Sequence, residues 1–222
     1  MLDVLYEDNH LLAVNKPAGV ATMGALAGRT SIVEQARQYI KDRYHKPGNV
    51  YIGVVSRLDA LVSGVLLLAR TSKAAERLTR QFGAGETRKT YWAVVEQSPR
   101  DSSTALIDWL WHDDAGHRVV VRDSETPGAK LARLKFQTLK NVSGGTLLEI
   151  HLETGRKHQI RVQLSNYGCP IYGDSKYGAT RAFAKGIALH ARRLEITHPV
   201  QKTPLCLESP LPASWKAVGL GD

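Results

Sequence analysis

In Arg57-Leu58-Asp59-Ala60-Leu61-Val62-Ser63-Gly64-Val65-Leu66-Leu67-Leu68-Ala69 a single carboxylate stands between two apolar segments. The run from Val65 to Ala69 is the longest apolar run in the chain and has the size of one buried strand. Upstream, Tyr51 to Val55 reads as another strand, leading into Ser56 and Arg57. A carboxylate at the end of a strand, ahead of a small-residue turn, can reach a cleft. It can also simply cap that turn, and the local residues taken alone favour the cap.

Further out, Val4 to Pro17 reads as two short strands around a polar turn. Lys16-Pro17-Ala18-Gly19 ends the second, because proline cannot continue the ladder. Ser31 and Glu34 have capping-box spacing, and Ile32, Val33, Ala36, Tyr39 and Ile40 follow on one helical face. Ser72 is the expected cap of a second helix, with Ala75, Leu78 and Phe82 as its apolar stripe and Gly83 as its stop. From Thr90 onward strands dominate: Tyr91 to Val95, Ala105 to Leu110, Arg118 to Val121, Leu131 to Leu139, Leu147 to Leu152 and Ile187 to Ile196. A third helix is expected to begin near Thr154-Gly155-Arg156 and to end at Gly168. Helices and strands are interspersed without regular alternation, so the expected class is α+β with a large, mainly antiparallel sheet.

The chain has 222 residues, enough for one compact domain or two small lobes in contact. Nothing approaches the roughly 20 apolar residues of a membrane span. The start, Met1-Leu2-Asp3-Val4, lacks the basic region of a signal peptide. Two cysteines, Cys169 and Cys206, are expected as reduced thiols of a cytoplasmic protein, and the eight histidines show no metal-ligand spacing. The formal net charge of +9 suits a polyanionic partner, although a generally basic, soluble surface would carry the same charge.

Two further clusters hold residues of chemical interest. In Arg88-Lys89-Thr90-Tyr91-Trp92 a tyrosine opens a strand behind cations; it can pack with a wet hydroxyl, stack on a base, or handle a proton. In Thr154-Gly155-Arg156-Lys157-His158-Gln159-Ile160-Arg161 cations gather at an expected helix start. A helix N-terminus already favours anions, so cations there are unfavourable for the helix and suggest phosphate as the partner.

The three clusters together resemble the RluA-like pseudouridine synthases. That family has Arg-Leu-Asp, then Ser-Gly and an apolar run, found here from Arg57 to Ala69. It has a Lys-x-Tyr strand start, found at Lys89 to Tyr91, and Thr-Gly-Arg-x-His-Gln-[Ile/Leu]-Arg, found from Thr154 to Arg161. Further matches are Val14 to Gly19, Pro170 to Gly178, Leu189-His190-Ala191 and Ile196-Thr197-His198-Pro199, all in family order. The chain departs from the pattern at Ser56, where histidine is usual, at Val62, where threonine is usual, and at Lys157, where serine or threonine is common.

The resemblance implies the pseudouridine synthase catalytic fold, with flanking helices and a central active-site cleft, spanning residues 1–222 as a single catalytic domain without a leading S4-type RNA-binding domain. It implies an isomerase that converts specific uridines of structured ribosomal or transfer RNA to pseudouridine. Asp59 would be the catalytic carboxylate, Tyr91 would pack on the uracil face, and Arg161 would be the charge partner that keeps Asp59 ionised. The carboxylate could attack the sugar or the ring, or remove the 2′ proton of the sugar. Arg57, Arg156, Lys157, His158 and Gln159 would bind RNA around a flipped-out nucleotide. No metal, nucleotide or redox cofactor and no membrane partner is implied, and a monomer is expected. The rival readings are a non-catalytic RNA-binding module and a nuclease.

Overall fold

The computed structural model describes residues 2–24 and 28–220, and among them eleven strands and three α-helices. They form two compact units. The first holds the described residues up to Arg88 together with Ala191–Pro212; the second holds Lys89–His190 and the described residues from Ala213 onward. The α+β class expected from the sequence is observed, with mainly antiparallel strand pairing. Among the described residues no helix is long and apolar enough to cross a membrane. Cys169 and Cys206 are both free thiols.

In the first unit β1 (Val4–Glu7) pairs with β2 (Leu11–Lys16), and β2 pairs with β4 (Ser63–Ala69). The expected strand over Tyr51 to Val55 shortens to β3 (Gly53–Val54) on β4. Next to β4 lies β10 (Leu189–Thr197), whose residues from Ala191 belong to this unit. β11 (Pro204–Glu208), which the sequence pattern did not reveal, pairs with β10.

β4 is apolar without alternation because both its faces are covered. Val65, Leu67 and Ala69 join Leu11 and Ala13 against α2 (Ser72–Ala84) and against Leu194, Ile196 and Leu207. Leu66 and Leu68 join Leu12 and Val14 on the opposite face, against Ile32, Val33, Ala36 and Ile40 of α1 (Ile32–Arg43). Each fully buried leucine contributes about 1.5–3 kcal/mol of transfer free energy, so this layer is the anchor of everything attached to its ends.

The capping box of α1 forms as expected, with Ser31 accepting from the Glu34 amide and Glu34 accepting from the Ser31 amide. The ends of α2 differ from expectation. Thr71, not Ser72, is the N-cap, its hydroxyl accepting from the Ala74 amide, and the helix runs through Gly83 to a left-handed Gly85. Both shifts leave the buried stripe facing the sheet. Where β10 ends, His198 is buried, accepts the Val200 and Gln201 amides at Nδ1 and donates from Nε2 to Asp8 at 2.7 Å, tying the β1–β2 turn in place.

Gly64 sits at the start of β4 with φ +115°, a region L side chains rarely adopt. A Cβ there would lie 2.6 Å from the backbone nitrogen of Ala191 and closer still to its carbonyl oxygen. Backbone cannot swing aside as a side chain can. Gly64→Ala is therefore expected to cost about 3 kcal/mol or more through strain and displacement of β10. Urea unfolding measures this, and an unchanged midpoint would contradict the close approach.

In the second unit the strand order is β5 (Arg88–Val95), β9 (Gly145–Leu152), β8 (Lys130–Val142), β6 (Ser103–Asp113) and β7 (Arg118–Arg122). Tyr91 pairs with Ile150, and Ile150 with Phe136, so these three share one face; by strand alternation Leu134 and Ala132 share it too. Against this face pack Val162 of α3 (Gln159–Asn166) and Tyr177, in a cluster with Leu110, Val119 and Ala132. Tyr91 and the segment leading into α3 thus lie on one side of the sheet. The exposed segment 123–129 is a turn between β7 and β8, as expected.

Candidate active site

Asp59 lies in the segment between β3 and β4, half-buried, between exposed Arg57 and exposed Ala60. The backbone of this segment is clamped from several sides. The Thr22 hydroxyl donates to the Leu58 carbonyl at 2.9 Å and accepts the Leu58 amide at 3.2 Å. The Gly19 amide donates to the Ala60 carbonyl at 2.7 Å, and the Val62 amide closes a turn onto the Asp59 carbonyl at 3.1 Å. The turn-capping reading therefore describes the backbone of Asp59, whose carbonyl closes the turn. Gly19, Val20, Ala21 and Ala60 help line a cavity of about 500 Å³.

Lys16, at the end of β2, is the residue the sequence reading passed over. It is fully buried, with its ammonium directed at the carbonyls of Val20 (2.8 Å), Pro17 (3.0 Å) and Ala60 (3.3 Å). Burial pulls its pKa down to about 8, while the charge of Asp59 acts in the opposite direction. A protonated ammonium has three donors for three carbonyls and supplies positive charge near the Asp59 carboxylate; a neutral amine has two donors and no charge. The only signal in the sequence is the Val14–Gly19 match, which assigns Lys16 no role.

The sign of the pH effect follows. Between about pH 8 and the ordinary lysine range the unfolded chain binds the extra proton, so the Lys16 contribution to stability rises with pH. Support for Asp59 is lost over the same window. Wild type is therefore expected to lose turnover with an apparent pKa near 8 as its Lys16-dependent stability rises. Paired pH–rate and pH–stability profiles of wild type and Lys16→Met check this; an alkaline limb unchanged in the variant would refute it.

In the second unit the Thr154–Arg161 segment departs from expectation. The helix does not begin near Thr154. It begins at Gln159, after a left-handed His158 with φ 55° and no side-chain cap. The reason is Gln159 itself, which is buried and folds the preceding residues into a turn. Its Oε1 accepts from the Thr154 hydroxyl (2.8 Å) and the Arg156 amide (2.9 Å), and its Nε2 donates to the Arg133 carbonyl (3.0 Å). Arg156 and Lys157 accordingly sit on an exposed turn ahead of the helix rather than in its first turn. Arg156 donates to the Leu131 carbonyl, and the Lys157 ammonium lies 2.7 Å from His112 Nε2.

Arg161 is buried in α3. Its Nε and Nη2 grip both oxygens of Asp174 at 2.7 and 2.8 Å, and its guanidinium lies 5.0 Å from the centre of the Tyr177 ring. A bidentate guanidinium–carboxylate pair fixes the plane of the cation as well as its charge. The Tyr177 hydroxyl accepts the Val119 amide at 3.1 Å and lies 2.7 Å from His158 Nδ1. The Pro170–Gly178 match thus acquires a physical content: Asp174 and Tyr177 hold Arg161 and His158. Spacing in the sequence gave no sign of that pairing. Among the described residues no group of three or more histidine, cysteine or acidic side chains could hold a metal ion.

Residues 10–166 match the family described as RNA pseudouridylate synthase. The chain is 33% identical over 218 residues to a Bacillus subtilis protein named as an RNA pseudouridine synthase, covering 97% of this chain and 70% of that one. It is 32% identical over 235 residues to tRNA pseudouridine synthase C of Salmonella typhi, covering 98% and 88% of the two. It is 33% identical over 225 residues to ribosomal large subunit pseudouridine synthase D of Xanthomonas campestris, covering 95% of this chain and 66% of that protein. In fold it is similar to human RNA pseudouridylate synthase domain containing 4, with a TM-score of 0.80, 24% identity, and coverage of 99% and 95%.

Proposed function

Since the chain belongs to the RNA pseudouridylate synthase family, we propose that Asp59 is the carboxylate with which it isomerises a uridine of structured ribosomal or transfer RNA to pseudouridine. The observation that carries this is the Asp59 loop. Its backbone is held by Thr22, Gly19 and Lys16, so its one carboxylate is presented from a rigid mount beside a buried cation.

The reaction is an internal exchange. The bond from the ribose C1′ to the uracil N1 breaks, the base turns, a bond from C1′ to C5 forms, and the C5 proton is removed as N1 gains one. A carboxylate serves it as a nucleophile or as a base toward the 2′ proton. Tyr91, half-buried on β5, packs on the uracil and takes part in the final proton removal. Arg161, already oriented by Asp174, is by resemblance the charge partner of the catalytic carboxylate. Exposed Arg57, Arg156 and Lys157, together with His158, hold the RNA around a flipped nucleotide, whose extrusion costs a few kcal/mol. Gln159 serves from beneath, by shaping the turn that carries three of them. The family match takes in parts of both units, which supports their acting as a single catalytic domain.

The test is direct. The protein is incubated with ribosomal and transfer RNA transcripts, and pseudouridine is mapped at single-nucleotide resolution. One or a few sites modified in full support the reading. RNA bound but never isomerised, or RNA shortened, would replace it with the binding-module or nuclease reading.

A further inference from the structure

Lys89 is a cation that the reaction as described leaves unused. It lies two residues before Tyr91 on β5, so strand alternation puts both side chains on the face that also carries the segment leading into α3. Its ammonium reaches the turn itself: a Cβ built on Gly155 would lie 4.0 Å from Lys89 Nζ. That is ordinary van der Waals contact, so the ammonium lies beside the backbone of the turn. Lys89 is half-buried, and among the described residues it has no hydrogen bond and no ion pair. Burial alone lowers its pKa, with no neighbouring charge acting on it. A lysine partly taken out of water without an anion costs stability, unlike Arg161, whose burial is matched by Asp174.

We propose that Lys89 is an RNA-binding residue whose ammonium takes a backbone phosphate flanking the target uridine, on the strand that carries Tyr91. The proposal rests on the assignment of Tyr91 made above and adds to it the anion that this cation lacks. The turn of Gly155, Arg156 and Lys157 lies beside the same point, so a phosphate there would meet one half-buried cation and two exposed ones.

The experiment uses the full chain and a stem-loop RNA containing a uridine mapped as above. Wild type, Lys89→Met and Lys89→Arg are compared on the native RNA and on RNAs with one uncharged methylphosphonate at each flanking phosphate in turn. Lys89→Met is expected to weaken binding about 10- to 100-fold, the range of one hydrogen bond to a charged group. It should lower the salt slope of binding by about 0.7–0.9 and leave the saturating single-turnover rate within about threefold. Lys89→Arg should recover most of the affinity. One methylphosphonate should cost wild type at least as much as the mutation does, and cost Lys89→Met distinctly less. Lys89→Met should also unfold no earlier than wild type, since it removes an unpaired cation.

Equal methylphosphonate penalties in wild type and Lys89→Met would overturn the proposal, as would a loss confined to the saturating rate. In either case the wild type still makes pseudouridine and the catalytic reading stands. A wild type that binds RNA and makes no pseudouridine would remove that reading and this proposal with it.

Discussion

Asp59→Asn is expected to reduce pseudouridine formation by about 10³- to 10⁴-fold while binding RNA with a Kd within about threefold of wild type. The substitution keeps shape and removes charge. The loop should survive it, because the substitution leaves its main-chain fixed points in place: Thr22 on both backbone groups of Leu58, and Gly19 and Lys16 on the carbonyl of Ala60. An amide can neither attack carbon usefully nor accept a proton at neutral pH, so every route open to the carboxylate closes together. Single-turnover assays at saturating protein separate the chemical step from binding. Retention of a tenth or more of the wild-type rate would show that another group does the chemistry.

The second large effect is on stability. Asp174→Ala is expected to destabilise the protein by about 3–5 kcal/mol, because it leaves the Arg161 guanidinium buried without its carboxylate. For a chain of this length that corresponds to a fall in Tm of roughly 10 °C. The cost comes from the partner left behind, since the net contribution of the intact pair is much smaller. Asp174→Asn keeps an acceptor for one arm of the fork and should fall between. Activity should suffer beyond the loss of folded protein, since an arginine freed from Asp174 no longer has a fixed plane. Thermal and urea unfolding give the stability term, and a shift below about 1 kcal/mol would show that the pair is not a closed buried unit.

Both effects arise where the chain's own chemistry is concentrated, yet they were unequally visible in advance. Asp59 could be picked out because Arg57-Leu58-Asp59 resembles a family motif, although the local residues alone favoured a turn cap. Arg161 could be picked out because it closed an ordered motif. Asp174 could not, because nothing in a spacing of thirteen residues says that two side chains will meet. Lys16 was hidden for a different reason: a lysine at a strand end looks like a solvated charge until three carbonyls are found around it. Short-range competition also moved boundaries. Thr71 outcompeted Ser72 as a cap, and Gln159 held Thr154 and Arg156 in a turn that the cluster of cations had suggested was already helix.

The sequence by itself determined most of the elements and, through its resemblance to a family, the class of chemistry. The unbroken apolar run of β4, the capping box of α1 and the ordered clusters around Asp59, Tyr91 and Arg161 are local properties, set by side-chain size, hydrogen-bonding valence and order along the chain. Only the tertiary structure decided which charges are matched. It gave Arg161 to Asp174, wrapped Lys16 in carbonyls, laid β10 so close that position 64 must be glycine, and left Lys89 beside a bare turn without an anion. The physical reason is that the cost of a charge depends on how much water and which partners surround it, and both are supplied by residues distant in sequence.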